Sequence, residues 1–389
     1  MKISVDSRYK MMQGLFWMLY CVSPGFVSLY LQGRGSSNAG IGMVTALFGI
    51  LSTLFQPILG RLSDQNKGWD WRRMILMLTV PCLLICVILP LTPGVWAGSI
   101  FMGLVILLLN LIMPFLNSAH YYYSLAGVNI NFGVARGIGS GSYALLAILI
   151  GTLAEKFGIE MVPITGIVIC LFFILVVFRM PSTAEPVHRT REDSVVQKGF
   201  LQRYPEFSIM LVASMLMLTA HNILNTYLLQ IIQSFGGSSS QLGIALAIQA
   251  IVEVPVLFSF SKLLKRFRAR SLMLVAAFGF ALKALLYALS VSVLMVYMIQ
   301  FTQMISFAIF ASASVFYTAE VIAEEDQTTG QAFMTSMMTA GSVIGSLIGG
   351  WILELRGVRA MLSVNVLIAA LGVAFAFVSV RHKSRSTPI

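Results

Sequence analysis

Apolar runs about as long as a bilayer is thick set what this chain can fold into. They recur from Met11 to Val380, separated by short polar or charged stretches. A hydrocarbon core of ~30 Å needs about 20 residues of helix. Inside it every backbone N–H and C=O must find a partner within the protein, so only helices and closed barrels cross. The runs are continuous and do not alternate, which argues against a barrel. Only 11% of residues are charged and 58% are hydrophobic, whereas soluble domains carry about 25% charged residues. The chain is therefore read as an all-α membrane protein embedded in the lipid bilayer.

The spacing of the runs predicts helices over 11–32, 39–62, 74–92, 96–124, 132–155 and 161–179. A polar stretch rich in Pro, Arg and Glu follows, and six more helices are predicted over 207–233, 240–263, 271–290, 292–320, 331–354 and 358–380. The expected organisation is twelve transmembrane helices in two pseudo-symmetric six-helix bundles, residues 1–180 and 207–389, joined by a cytoplasmic linker over 181–206. A short internal repeat supports duplication. Gly151-x-x-x-Glu155-x-x-Gly158 near the end of the fifth helix matches Gly350-x-x-x-Glu354-x-x-Gly357 near the end of the eleventh. Both follow small-residue helices, with Gly137, Gly139 and Gly141 in one and Gly341, Gly345 and Gly349 in the other. Such spacing lets helices approach closely.

With a cytoplasmic N-terminus, one side of the membrane collects the cations. Those loops hold Arg8 and Lys10; Arg61, Lys67, Arg72 and Arg73; the linker arginines; Lys262 to Arg270; and Arg381, Lys383 and Arg385. The opposite loops hold Arg34, Lys156, Arg356 and Arg359. The positive-inside rule then places both termini in the cytoplasm of a multi-pass protein of the cell's inner or plasma membrane. The first apolar run shows no cleavage site and reads as an uncleaved helix. The basic residues lie between hydrophobic runs and form no soluble face for nucleic acid. Cys82 and Cys86 share a helix face, with no His or acid beside them to complete a metal site, and read as packing residues. No cofactor is expected. HExxH, paired-Asp and Ser–His–Asp patterns are absent, so an enzyme is not expected either.

Two cations and one acid fall inside apolar runs: Arg136, Glu253 and Lys283. A charge at the bilayer centre costs roughly 2.5–3.5 kcal/mol on the lenient scale and marks a working or paired group. From the cytoplasmic end, Glu253 lies about 16 Å and Lys283 about 18 Å deep at 1.5 Å per residue. An ion pair between neighbouring helices would lower the burial cost of both. If Arg136 faces the same cavity, one positive charge is in surplus. That suits an anionic group, or a neutral sugar held by hydrogen bonds. His120 and His221 are possible proton carriers. Asn222 and Gln303 belong to a wider set of amides at cavity depth.

The stretch Gly60-Arg61-Leu62-Ser63-Asp64 through Arg72-Arg73 resembles the signature loop of the major facilitator superfamily. In that reading Gly60, Asp64, Arg72 and Arg73 form a conformational latch: the glycine allows a tight helix exit, and the aspartate caps a helix start or pairs with an arginine. Asn131-Phe132-Gly133-Val134-Ala135-Arg136 and Gln56-Pro57 resemble the oligosaccharide–proton symporters related to lactose permease. The resemblance implies that Arg136 binds sugar hydroxyls and Tyr143 stacks on the ring. It also implies that Glu253 binds sugar and couples to protons, and that Lys283 replaces a helix-nine arginine. Three family positions differ: a helix-four carboxylate falls on Ser118, and the helix-ten histidine and glutamate fall on Gln303 and Ser306. The expected function is a secondary transporter working by alternating access, importing a sugar or similar small polar solute with protons, as a monomer. Substrate contacts are expected at Arg136, Tyr143, Glu253, Lys283, Asn222 and Gln303, and proton coupling at Glu253 and His120. The alternative is an exporter or organic-anion carrier of the same fold.

Overall fold

The computed structural model describes residues 4–65, 70–128, 130–181 and 199–381. The described residues form helices and turns. In chain order they are α1 (Val5–Tyr20), α2 (Val27–Gly33), α3 (Asn38–Gln65), α4 (Trp71–Ile88), α5 (Val95–Leu125), α6 (Phe132–Phe157) and α7 (Met161–Phe178). There follow α8 (Phe200–Arg203), α9 (Pro205–Thr226), α10 (Leu228–Gln233), α11 (Ser239–Arg266), α12 (Ala269–Ala288), α13 (Val293–Gln300), α14 (Phe307–Val321) and α15 (Gln327–Arg381). Among the described residues 10 helices are long and apolar enough to cross a membrane, or 11 if α1 and α2 count as one span bent by 43°. The last of them is interrupted at Gly357 (φ 77°, ψ 179°). Arg189, Arg191 and Lys198 of the linker, with Lys67, Lys383 and Arg385, lie outside the described residues.

Several boundaries differ from the hydropathy reading for local reasons. α1 begins at Val5 because the Ser4 hydroxyl caps the Ser7 N–H and Lys10 pairs with Asp6 one turn earlier. The first span breaks at a π-helical turn, Cys21–Gly25, which contains Pro24. Proline supplies no N–H to the ladder. The tenth expected span breaks at a 3₁₀ turn, Phe301–Met304, between α13 and α14. There the Thr302 and Ser306 hydroxyls bond the Ile299 and Thr302 carbonyls, in competition with the helix ladder. The two GxxxExxG copies end alike: Gly158 (φ 92°, ψ 169°) stops α6 and Gly357 adopts nearly the same backbone. That region is open essentially to glycine alone.

The chain groups into two compact units. The first comprises Met1–Arg189 with Gly236–Ile251, so it includes the first half of α11. The second comprises Thr190–Phe235 with Val252–Ile389. In the first, α1 packs on α6 where Gly139 faces Trp17: a Cβ there would lie 2.4 Å from the indole. In the second, Gly341 and Gly345 seat α15 on α9, since a Cβ on either would meet the Met215 or Thr219 carbonyl oxygen at 2.4 or 2.6 Å. Around that seam lies a core of Phe207, Met210, Met217, Phe280, Phe310 and Tyr317. Large apolar side chains point outward instead, among them Trp351, Phe178, Leu367 and Leu145, each about two-thirds exposed or more. Such a surface suits lipid and would aggregate in water.

Candidate functional site

The second unit holds a polar relay, buried at Lys283 and Gln303 and half-buried at Glu253. Glu253 sits mid-way along α11, Lys283 beyond the middle of α12, and Gln303 in the 3₁₀ turn that breaks the tenth span. Gly279, one turn before Lys283, brings α12 against that turn. A Cβ at Gly279 would lie 2.5 Å from the Ile305 carbonyl oxygen and 2.9 Å from the Ser306 nitrogen. Lys283 Nζ donates to Gln303 Oε1 at 2.5 Å, and Gln303 Nε2 donates to Glu253 Oε1 at 2.8 Å. Lys283 is 1% exposed and Gln303 0%. The expected Lys283–Glu253 pair is thus joined through an amide, whose carbonyl faces the ammonium and whose NH₂ faces the carboxylate. An amide does not titrate, so it links the two groups without itself taking up or releasing a proton.

The same unit adds uncharged donors and acceptors. His221 on α9 is 4% exposed. It stacks on Phe307 at 4.7 Å with 8° between planes and meets the edge of Phe280. Its Nε2 lies 2.8 Å from Asn225 Nδ2. With that amide donating, the ring proton sits on Nδ1, which has no hydrogen-bond partner among the described residues. Gln300, one helical turn before Gln303 and 1% exposed, likewise leaves both Oε1 and Nε2 without one. Asn222 Nδ2 donates to Ser342 Oγ at 2.7 Å and to the Leu218 carbonyl at 3.1 Å, holding α15 on α9. Its amide protons are committed to packing.

In the first unit Arg136 lies near the start of α6, with Nη1 donating to Ser140 Oγ at 2.8 Å. Its guanidinium carbon stands 3.8 Å from the ring centre of Trp17, a cation–π geometry that fixes the plane of the fork. Trp17 Nε1 donates to Gln13, and Gln13 donates to the Tyr9 hydroxyl, which donates to the Leu116 carbonyl. Beside them Tyr20 bonds Asn110, which also bonds Ser52. Tyr143 follows Arg136 by two helical turns and so shares its face. Its hydroxyl packs over Gly25 in the π turn, where a Cβ would come within 2.7 Å. The hydropathy reading passed over Trp17, Gln13 and Tyr9. Their signal was the spacing Tyr9, Gln13, Trp17, Tyr20, a polar and aromatic stripe on one side of an otherwise apolar helix.

The expected latch is corrected at Gly60. α3 runs through Gly60 to Gln65, so Gly60 is not a helix exit, and a Cβ there would meet nothing within 4 Å. The residue that caps the next helix is Asp70, whose Oδ1 accepts the Arg73 N–H at 2.8 Å. The side chain of Asp64 lies outside the described residues. Arg72 ties the start of α4 to the chain after α7, donating to the Met180 carbonyl at 2.8 Å. His120 on α5 packs on Phe132 at 4.7 Å, with Nδ1 2.6 Å from the Asn117 carbonyl oxygen of its own helix.

A family model described as the MFS_1 like family matches residues 9–364. The chain belongs to the MFS_1 like family. A maltose permease of Geobacillus stearothermophilus is 27% identical over 342 residues, covering 84% of this chain and 82% of that protein. Among solved structures the nucleoside transporter NupG superposes with a TM-score of 0.79 at 16% identity, over 97% of this chain and 98% of that one. A bacterial homologue of the human lysosomal transporter Spinster, inward-facing and occupied, gives 0.70 at 15% identity, over 99% and 98%. At those identities the two structures establish the fold. This MFS_1 like protein is a multi-pass membrane transporter and not an enzyme.

Proposed function

We propose that the chain is a proton-coupled importer of a sugar or similar small polar solute, working by alternating access. The observation that carries this reading is the Lys283–Gln303–Glu253 relay, buried at its first two members. Close by in sequence and packing stand Gln300 and His221, whose unbonded amide and imidazole atoms each cost about 1–3 kcal/mol while unsatisfied. A hydroxyl-rich solute offers donors and acceptors to both. Arg136 on Trp17, with Tyr143 on the same face, supplies a cation and an aromatic face of the kind a sugar uses. The name of the maltose permease relative supports the same class. Glu253 is the coupling group in this proposal, and His120 a second candidate. Protonating Glu253 removes the negative charge that Gln303 Nε2 addresses, and through the amide loosens the hold on Lys283.

Counting the helices on each side of Gly357 as separate spans brings the total to twelve, with halves 1–180 and 207–389 joined by 181–206. We place both termini in the cytoplasm of the cell's inner or plasma membrane, with the monomer as the working unit. The test is uptake of radiolabelled maltose and a panel of sugars, nucleosides and organic anions into proteoliposomes, with and without an inward proton gradient. Wild type accumulates its solute uphill. Glu253→Gln equilibrates and exchanges solute but does not accumulate it. Uphill accumulation by Glu253→Gln refutes the coupling role, and gradient-driven efflux of the solute establishes an exporter instead.

A further inference from the structure

Three of the chain's four cysteines meet at one point in the first unit. Cys82 and Cys86 lie one turn apart on α4, and Cys170 lies on the facing side of α7. Their Sγ atoms are all within 4.8 Å of one another, and the three side chains are 0%, 2% and 0% exposed. Cys170 is absent from the sequence pattern because it comes from a helix three spans later. The seat is built by Gly166, one turn before Cys170, where an added Cβ would fall 3.2 Å from Cys86 Sγ. A small residue and a thiol on α7 thus face two thiols on α4. All four cysteines are free thiols.

Bonds of about 2.3 Å put the sulfurs of a three-coordinate centre roughly 3.4–4 Å apart, the shorter value for the pyramidal geometry of a centre with a lone pair, inside the 4.8 Å limit on the observed spacings. The group holds three thiols and no imidazole or carboxylate among the described residues, so three soft ligands are what it offers. Charge decides which ion suits them. Three thiolates around Cu(I) leave two negative charges and around Zn(II) one, each unpaired in an apolar interior that penalises it by desolvation. Around a trivalent centre the adduct is neutral. We propose that Cys82, Cys86 and Cys170 form a three-coordinate thiolate site for trivalent arsenic or antimony. The hydroxide M(OH)₃ enters uncharged. Three M–O bonds break and three M–S bonds form, each thiol proton leaves with a hydroxide as water, and nothing is oxidised or reduced.

The test uses the full chain in detergent, incubated with sodium arsenite and then freed of excess. Elemental analysis is expected to give one arsenic per chain, with a raised Tm. X-ray absorption at the arsenic edge is expected to show three sulfur neighbours. Cys82→Ser, Cys86→Ser and Cys170→Ser each weaken binding at least tenfold, while Cys21→Ser leaves it unchanged. Binding that survives in the three triad variants overturns the assignment, as does an edge spectrum of two sulfurs and one oxygen in the wild type. So does stoichiometric Cu(I) binding where arsenite fails. The absorption measurement needs no variant, so it stands even if a serine substitution prevents folding.

Discussion

Replacing Gly243 by alanine should open one end of α11 from α6 without altering any polar side chain. The two helices cross at Gly151 and Gly243. A Cβ on Gly243 would lie 2.2 Å from the Ala147 carbonyl oxygen, where ordinary contact begins at 3.4 Å. Backbone cannot rotate away as a side chain can, so the helices must part by about 1.2 Å, an overpacking cost of about 1–3 kcal/mol. Next to this crossing Glu155 Oε2 accepts from Ser238 Oγ at 2.7 Å and from the Ser240 N–H at 3.0 Å, holding the first turn of α11. The Ser240 amide therefore reports the separation. If the cost falls wholly on the closed arrangement, opening becomes about 5–150 times more populated. Amide exchange of peptides covering 236–245, read by mass spectrometry, should accelerate by that factor. Gly141→Ala is the control: it lies on the same helix α6, and a Cβ there meets nothing within 4 Å. Exchange at Ser240 within twofold of wild type in Gly243→Ala, with the protein folded, refutes the reasoning. Acceleration of the same size in Gly141→Ala does so too.

Other expectations follow from the same geometry. Gln303→Leu removes the amide that joins Lys283 and Glu253 and should cost about 3–5 kcal/mol, as breaking a buried charged network does. An unchanged Tm would mean that ammonium and carboxylate meet without it. Trp17→Leu takes away the face under Arg136 and should weaken solute binding about 2–30-fold through the lost cation–π term, measured by calorimetry on the solute found in the uptake panel. Asp326 accepts from Arg203 Nη1 at 2.9 Å and from the Tyr204 hydroxyl at 2.8 Å. Burial, and then the bond to Asp326, hold the Tyr204 phenol protonated above its ordinary range. That tie is complete below the ordinary value of about 10 and is lost as pH rises through the raised one. Asp326→Asn should therefore flatten the fall of Tm at alkaline pH, and an identical fall would exclude Tyr204 as its source.

What the sequence disclosed divides along a physical line. Span positions are one-dimensional: they depend on summed transfer free energy over a window, and windows such as 39–62 and 161–179 landed on α3 and α7. Glu253, Lys283 and Arg136 were legible for the same reason, since each is an outlier in such a window. Breaks inside a window were not legible, because Pro24 and the Thr302–Ser306 hydroxyls scarcely change its apolar sum. Those breaks are what turn Gln303 toward its two partners and Gly25 toward Tyr143.

Partnership was hidden for a different reason. Charge arithmetic on neighbouring helices proposes Lys283 with Glu253 at similar depth, and it has no means of inserting a neutral residue between them. The resemblance to the lactose-permease-like symporters sets Gln303 against a family histidine, which by itself implies a lost proton carrier. In the structure its two-sided hydrogen bonding answers one donor and one acceptor at once, which a single imidazole can also do. The difference is that histidine could take up a proton in doing so and glutamine cannot. If the proposed coupling runs through this relay, proton uptake there falls to Glu253 or Lys283. A Gln303→His variant should keep the relay's geometry while adding a titrating group between the two charges. Its uptake should show a new pH limb near neutrality, absent from wild type. A profile identical to wild type would place the coupling outside this relay.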